Sequence, residues 1–378
     1  MAKLNKVLVI GGGISGMSAA ICLRKQGIAV DLVELNKNWD VQGAGITVSG
    51  PTLRAFKEVG VIDRILEQGG CTDGLYLCDA NGNRVGEIPT PRIAGPDIPG
   101  GGGLMRPVLA KILSDATLEA GTSVRLGVTF TAINQDAERV NVEFSDGSRD
   151  TYDLVIGADG LWSKVRPLIF PDAAKPKYTE QGSWRAVVPR PAEIDRCNIF
   201  MNANIKAGVN PVSRDEMYLF LLEHRPENNH LDPSEWHIEL RRLLAGFGGV
   251  VGKIRDSLSP DSRILYRPLE SLLLTPPWHS GRILLIGDAA HATTPHLASG
   301  AGIGVEDAIV LADELACAVD KDRPLDEALD NFTQRRFERC RLVVQNSLRL
   351  GEIEISAGSK EEHSQIMRDS IIALLAPI

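Results

Sequence analysis

Gly11-Gly12-Gly13-Ile14-Ser15-Gly16 follows directly on the apolar run Val7-Leu8-Val9-Ile10, an order of residue types suited to gripping a diphosphate. Gly11 permits a tight turn, Gly13 lets backbone approach the phosphates, and Gly16 lets the following helix pack closely on the strand. Free N–H groups at the start of that helix, in the turn that carries Ser15, add a dipole that favours negative charge. Glu34 closes the next apolar strand, where a carboxylate accepts a ribose hydroxyl. This fingerprint specifies a dinucleotide without separating FAD from NAD.

Two further motifs follow at long range. Asp159-Gly160, with Ser163 and Arg166, comes after the strand-like Asp153-Leu154-Val155-Ile156. Gly287-Asp288 comes after Arg282-Ile283-Leu284-Leu285-Ile286, so Asp288 stands at the carboxyl end of a strand, where open α/β sheets bind ligands. Asp288 also suits a helix N-cap, and Asp159 also suits a simple turn with Gly160. Arg106 opens a helical stretch, where a cation opposes the helix dipole and calls for an anionic or polar partner unless it is merely at the surface. Gly300, Ala301 and Gly302 begin another helix whose bare backbone can approach a flat ring.

These groups need a scaffold. Apolar runs at 6–10 and 28–34 flank a helical pattern at 14–26, which makes a βαβ unit. A helix is expected over 107–120, and a hairpin over 139–144 and 150–157 turning at Asp146-Gly147. Strand and turn signals dominate 182–270, with a helix near 234–245. The strand 282–288 then returns to the first sheet, and helices fill 324 onwards. Gly100 to Gly103 has no apolar strand before it and reads as a flexible connector.

Composition narrows the partners. The 378 residues carry 41 Lys and Arg against 49 Asp and Glu, a net charge of −8 with no basic block, which argues against nucleic acid. Six cysteines without CxxC spacing point to reduced thiols rather than disulfides or zinc, and His224, His230 and His237 fit no metal spacing, so no metal is expected. The first strand starts almost at once and no apolar run is long enough to span a bilayer, so a cytoplasmic protein without stable membrane association is expected. The apolar end Ile371 to Ile378 is expected to pack on the body or to cap a homodimer.

The three motifs in this order resemble those of the flavin-dependent aromatic hydroxylases, single-component monooxygenases such as 4-hydroxybenzoate and salicylate hydroxylases. The resemblance runs from residue 6 to about 345. It implies an α/β fold: a discontinuous, Rossmann-like FAD-binding domain (1–72, 98–181, 268–345), an inserted mostly β substrate domain (73–97, 182–267) and a C-terminal helical tail (346–378). It implies that Asp159 and Gly160 shape the FAD and NAD(P)H sites, that Asp288 holds a ribityl hydroxyl, that Arg106 contacts the flavin chain, and that Gly45, Gly300 and Ala301 flank the isoalloxazine. Many relatives carry asparagine where Ser49-Gly50-Pro51 stands here. NADH or NADPH would reduce FAD, O2 would form a C4a-hydroperoxide, and a small aromatic or heteroaromatic ring would take the distal oxygen.

That chemistry asks for a base to deprotonate a phenolic ring. His296 matches a position where salicylate-hydroxylase-like members carry histidine; the alternative is a loop histidine packed near the flavin. Tyr218 resembles a substrate-facing tyrosine and equally suits core packing. Arg185 suits a substrate carboxylate, a nicotinamide-cofactor phosphate or the surface, and His291 reads as structural. There is no second GxGxxG, so NAD(P)H would bind transiently. An amino-acid oxidase, an alkene epoxidase and a non-catalytic flavin-binding protein are the rival readings, and consumption of NAD(P)H separates the first from a monooxygenase.

Overall fold

Val7 to Ile10 alternate faces of their strand yet all are buried, because helices cover both sides of the sheet. The structure, a computed structural model, describes residues 4–41, 43–202 and 205–378. Lys6–Ile10 pairs in parallel with Ala29–Glu34 on one side and Leu154–Gly157 on the other. Ser123–Leu126 extends the sheet beyond Ala29–Glu34, and Ile283–Leu285 extends it beyond Leu154–Gly157, with His279–Ser280 as an antiparallel edge. Strands from both ends of the chain therefore share one sheet, and the architecture is the α/β one expected.

The expected strand 150–157 is two strands. Arg149–Tyr152 pairs antiparallel with Val140–Phe144, whereas Leu154–Gly157 joins the parallel sheet. Asp153 is the joint. Its carboxylate accepts from the backbone N–H of Asn5 at 2.6 Å and of Lys6 at 2.8 Å, and it pairs with Arg139. A polar residue inside an apolar run marked the break.

The Gly100 to Gly103 connector is likewise corrected. Gly101–Met105 is the central strand of a three-stranded sheet, between Gly45–Ser49 and Gly70–Thr72. A Cβ on Gly102 would lie 2.6 Å from the Cα of Cys71, and one on Gly103 would lie 2.3 Å from the carbonyl of Pro211. These glycines serve close approach of backbones rather than flexibility.

A second, seven-stranded sheet runs in the order Ile264–Ser271, Lys177–Pro189, Glu216–His224, Lys206–Pro211, Cys197–Met201, Leu75–Asp79, Arg84–Ile88. On its outer face Trp184, Leu219, Leu221, Val209 and Phe200 form their own core with Leu240, Leu243, Val251 and Ile254 of the helices Trp236–Leu243 and Gly249–Ser257. The cross-strand register puts Arg185 opposite Phe220 and Val187 opposite Tyr218, so Gln181, Ser183, Arg185, Tyr218, Phe220 and Leu222 share the inner face. Lys177–Pro189 and Ile264–Ser271 run across the positions where the sequence suggested domain boundaries, and the helix Leu325–Ile355 runs across the suggested start of the tail. In the last helix, Lys360–Leu375, Leu374 is buried in the main core, and Ile378 packs against that core, while Ile371 and Ile372 are exposed.

Asp153→Ala should cost about 2–4 kcal/mol, since it strands two backbone donors in a part-buried joint. Urea unfolding reads this as a lower midpoint at unchanged slope.

Candidate functional site

The helix Ile14–Lys25 begins at Gly13 with no side-chain cap and no acid in its first turn, so its leading N–H groups stay uncommitted. A Cβ on Gly13 would meet nothing within 4 Å, whereas one on Gly16 would lie 2.0 Å from the carbonyl of Gly11. Gly13 thus opens outward and Gly16 seals helix to turn. Gly11 itself sits at φ 109, a backbone conformation closed to most side chains. Glu34 braces this turn: Oε2 accepts from the N–H of Gly12 and Oε1 from that of Asn36, each at 2.7 Å. Its remaining lone pairs suit a hydroxyl.

Asp159 Oδ2 accepts from the N–H groups of Lys164 and Val165 at 2.7 and 3.1 Å, while its buried Oδ1 has no partner among the described residues. Gly160 follows at φ 79. Ser163 and Arg166 face inward. The Ser163 hydroxyl accepts from the Arg166 N–H, and the guanidinium donates to the carbonyls of Ala289 and Leu161 at 2.9 Å each. Arg166 thereby ties the second motif to the third.

Gly287 turns at φ 60 and caps the short helix Asp288–His291. Asp288 is therefore the first helical residue and makes no capping bond, which removes the N-cap alternative. Solvent reaches its carboxylate although protein surrounds it on most sides. This desolvation raises the pKa, against the pull of His291 and Arg106. Ser15 is the meeting point of three elements: a Cβ on Gly287 or on Gly304 would lie 2.3 Å from its hydroxyl. Gly300 and Ala301 open the helix Gly300–Asp320, again with no side-chain cap and no acid in the first turn.

A hub that the sequence did not disclose holds this turn. Asp307 is wholly buried. Its Oδ2 accepts from the Gly287 N–H at 2.9 Å and lies 2.6 Å from His291 Nε2, and its Oδ1 takes the Arg336 guanidinium at 2.9 Å. Burial opposes protonation of His291, but the Asp307 carboxylate prevails and holds the imidazole well above its usual pKa. His291, Asp307 and Cys340 bring ligand-type atoms within 4.8 Å of one another. Arg336 hydrogen-bonds both Asp307 and Cys340, so a cation already fills that space.

Arg106 and Tyr218 meet the Gly43–Gly45 segment. A Cβ on Gly43 would lie 2.8 Å from Arg106 Cδ, and one on Gly45 would lie 2.1 Å from the Tyr218 ring. The Tyr218 hydroxyl is 2.6 Å from Thr47 Oγ1, and burial raises its pKa. Tyr218 thus bridges the substrate-side sheet to the nucleotide side. Arg185 is half-buried on the same face. Desolvation first, then repulsion from Arg106, lowers its pKa, and neither guanidinium has a hydrogen-bond or ion-pair partner among the described residues.

His296 lies in the short turn Pro295–Leu297, just ahead of the helix Gly300–Asp320. Its side chain is 1% exposed, with Nδ1 2.9 Å from Thr294 Oγ1 and Nε2 3.4 Å from Glu354 Oε2. Burial lowers its pKa despite Glu354, so the ring is neutral at neutral pH. Glu354 and Arg336, on the helix Leu325–Ile355, belong to no motif, and their partners stand far away in sequence.

His291 contributes stability that is complete below its unfolded pKa of about 6.5 and is lost as pH rises through its higher folded value. Stability of the parent should therefore decline on the alkaline side, and His291→Gln should abolish that component. Urea titrations from pH 6 to 9 measure both slopes.

The open Gly13 cap, the unpaired Asp159 oxygen, the solvent-facing Asp288 and the partnerless Arg106 fit a diphosphate-linked, hydroxyl-rich cofactor. The FAD binding domain family matches residues 5–347. The 2-heptyl-3-hydroxy-4(1H)-quinolone synthase of Pseudomonas aeruginosa is 31% identical over 352 residues, covering 92% of this chain and 89% of that protein. The FAD-dependent urate hydroxylase of Klebsiella pneumoniae is 30% identical over 348 residues, covering 90% and 88%. The crystal structure of Klebsiella pneumoniae HpxO complexed with FAD and uric acid matches with a TM-score of 0.82 at 25% identity, over 98% of this chain and 92% of that one. With the family spanning most of its length and its motif residues gathered at the ends of three strands, the chain belongs to the FAD-dependent aromatic hydroxylases and is a flavin monooxygenase.

Proposed function

We propose that this monooxygenase hydroxylates a small aromatic or heteroaromatic ring carrying an anionic group, with NADH or NADPH as reductant and O2 as oxidant. Ring C–H, O2, NAD(P)H and a proton give ring C–OH, NAD(P)+ and water. Bound FAD supplies the electron transfer and the oxygen activation. The uncommitted N–H groups beyond Gly13, with Ser15 in the same turn, would hold its diphosphate. Glu34 and Asp288 would accept its ribose and ribityl hydroxyls, and Arg106 would hold its chain. Gly45, Gly300 and Ala301 would border the ring system, while Asp159 and Gly160 would serve the cofactor side of the cleft.

One observation carries the substrate reading. Phe220 and Leu222 lie on the inner face of the seven-stranded sheet, half-exposed, and belong to neither hydrophobic core. Arg185 stands beside Phe220 with no anion to pair with among the described residues. An apolar wall with one unsatisfied cation suits a flat ring bearing a carboxylate or an ionised hydroxyl. Tyr218, buried beside Phe220, would back that wall. Relatives named for urate and for a hydroxyquinolone act on heteroaromatic rings, in keeping with this chemistry. His296, neutral and buried, would receive the phenolic proton, which leaves the ring electron-rich toward oxygen. Asp159 Oδ1 and the surrounding turn would contribute to transient NAD(P)H binding.

The test is NAD(P)H oxidation with product analysis over phenols, benzoates and hydroxypyridines. A compound that accelerates flavin reduction and emerges oxygenated supports the reading; NAD(P)H-independent oxidation of any of them overturns it. Arg185→Met should raise KM for an anionic substrate roughly 30-fold, the loss of about 2 kcal/mol from one charge-assisted contact. His296→Ala should keep FAD yet lower coupled hydroxylation and alter its pH profile. Equal coupling at every pH would remove His296 from the mechanism.

A further inference from the structure

Among the described residues, Glu354 is the one acid that reaches His296. It projects from the helix Leu325–Ile355, one turn past Gly351, where a Cβ would lie 3.1 Å from His296 Cε1 and 2.5 Å from Gln181 Oε1. Oε2 faces His296 Nε2 at 3.4 Å. Oε1 faces His363 Nε2 at 3.1 Å, on the helix Lys360–Leu375, and pairs with Lys206 from the inner sheet face. Lys206, His363 and Glu354 are the titratable groups that bear on His296 from the elements packed around it, with Thr294 and Gln181 as neutral polar neighbours.

The carboxylate is pinned from both sides. Lys206 and His363 hold Oε1, so Oε2 cannot swing away from the imidazole without breaking them. A fixed negative charge beside Nε2 favours the tautomer with the proton on Nε2. Nδ1 is then the basic nitrogen, and it faces the Thr294 hydroxyl at 2.9 Å. Hydroxyl, imidazole and carboxylate stand in line, an order that orients a base and stabilises its protonated form. His296 Nε2 has no well-directed hydrogen bond in the resting arrangement, and protonation of the ring at Nδ1 would strengthen the Nε2 contact.

We propose that Glu354 is the positioning residue for His296: it fixes the Nε2–H tautomer, so that a proton leaving the substrate passes through the Thr294 hydroxyl to Nδ1. The Thr294 O–H proton moves to Nδ1 as the hydroxyl takes the substrate's proton, and the resulting positive ring faces the Glu354 carboxylate. No electrons are exchanged. This deepens the functional reading above and rests on His296 as the base. It also makes both closing helices part of the site, because each contributes one member of the cluster.

The experiment is a ring NMR titration of the FAD-loaded full chain labelled at histidine, assigned through His296→Gln and His363→Asn. In Glu354→Gln the His296 midpoint should fall by about one pH unit, and its ring should lose the Nε2–H signature. Glu354→Asp should restore part of both. The acid limb of coupled hydroxylation should move to lower pH by the same amount, with a lower plateau; a purely structural loss lowers the plateau without moving the limb. An unchanged midpoint and tautomer in Glu354→Gln overturns the proposal. If that variant does not fold, Glu354→Asp is read in the same way, and a parent-like His296 there overturns it. The two readings separate cleanly. A shifted midpoint with parent-like hydroxylation by His296→Ala supports the pairing and removes the base, whereas an unshifted midpoint with hydroxylation lost in His296→Ala removes the pairing and keeps the base.

Discussion

Asp307 has no contact with water, and three groups from different parts of the chain depend on it. Its carboxylate fixes the Gly287 turn, the His291 ring and the Arg336 guanidinium at once. A buried carboxylate is costly unless each lone pair is used, and here two cations and a backbone N–H use them. The consequence is positional. Gly287 is held at a φ that suits glycine, and Asp288, the next residue, is directed outward to solvent instead of capping its own helix. Glu306 extends the same network by pairing with Arg336 and Arg339. Charge balance inside the protein thus sets the direction of a carboxylate at its edge.

The parts legible in the sequence were those with local signatures. The glycine turn, the strand ends at Asp159 and Asp288, and the parallel sheet all rest on patterns contained within a few residues. Gly101 to Gly103 misled because glycine marks both loose chain and backbones packed too tightly for a Cβ, and only the partners Cys71 and Pro211 distinguish the two. The hairpin strand was drawn through Asp153 because apolar residues continue beyond it, yet the acceptor sites used by Asn5 and Lys6 come from the other end of the chain. Asp307 with Arg336, and Glu354 with His296, form contacts without fixed spacing, on helices whose other residues are ordinary. Long-range pairs of single charges leave no periodic trace in the sequence.

The cleft's electrostatics follow from which charges were left unpaired. Lys206 is compensated by Glu354, and Arg166 spends its donors on carbonyls. Arg106 is attracted by the Asp288 carboxylate without a direct contact, Arg185 has no ion-pair partner among the described residues, and the two guanidinium groups repel each other. Two half-buried guanidinium groups that repel each other cost stability, and an anionic ligand beside them would relieve that cost. Binding energy for charged ligands is in this sense already present in the protein.

The last helix carries the same logic to the end of the described chain. Its final carbonyls point at cations: Arg54 donates to Leu375 at 2.9 Å and to Ala376 at 2.7 Å, and Arg339 donates to Leu374 at 2.9 Å. Positive charge at a helix C-terminus is favourable, and Arg339 is simultaneously bonded to Glu306, the neighbour of Asp307. Near the other end of this helix, His363 meets Glu354. One helix is therefore fastened at its end to the network that aims Asp288 and near its start to the cluster that holds His296.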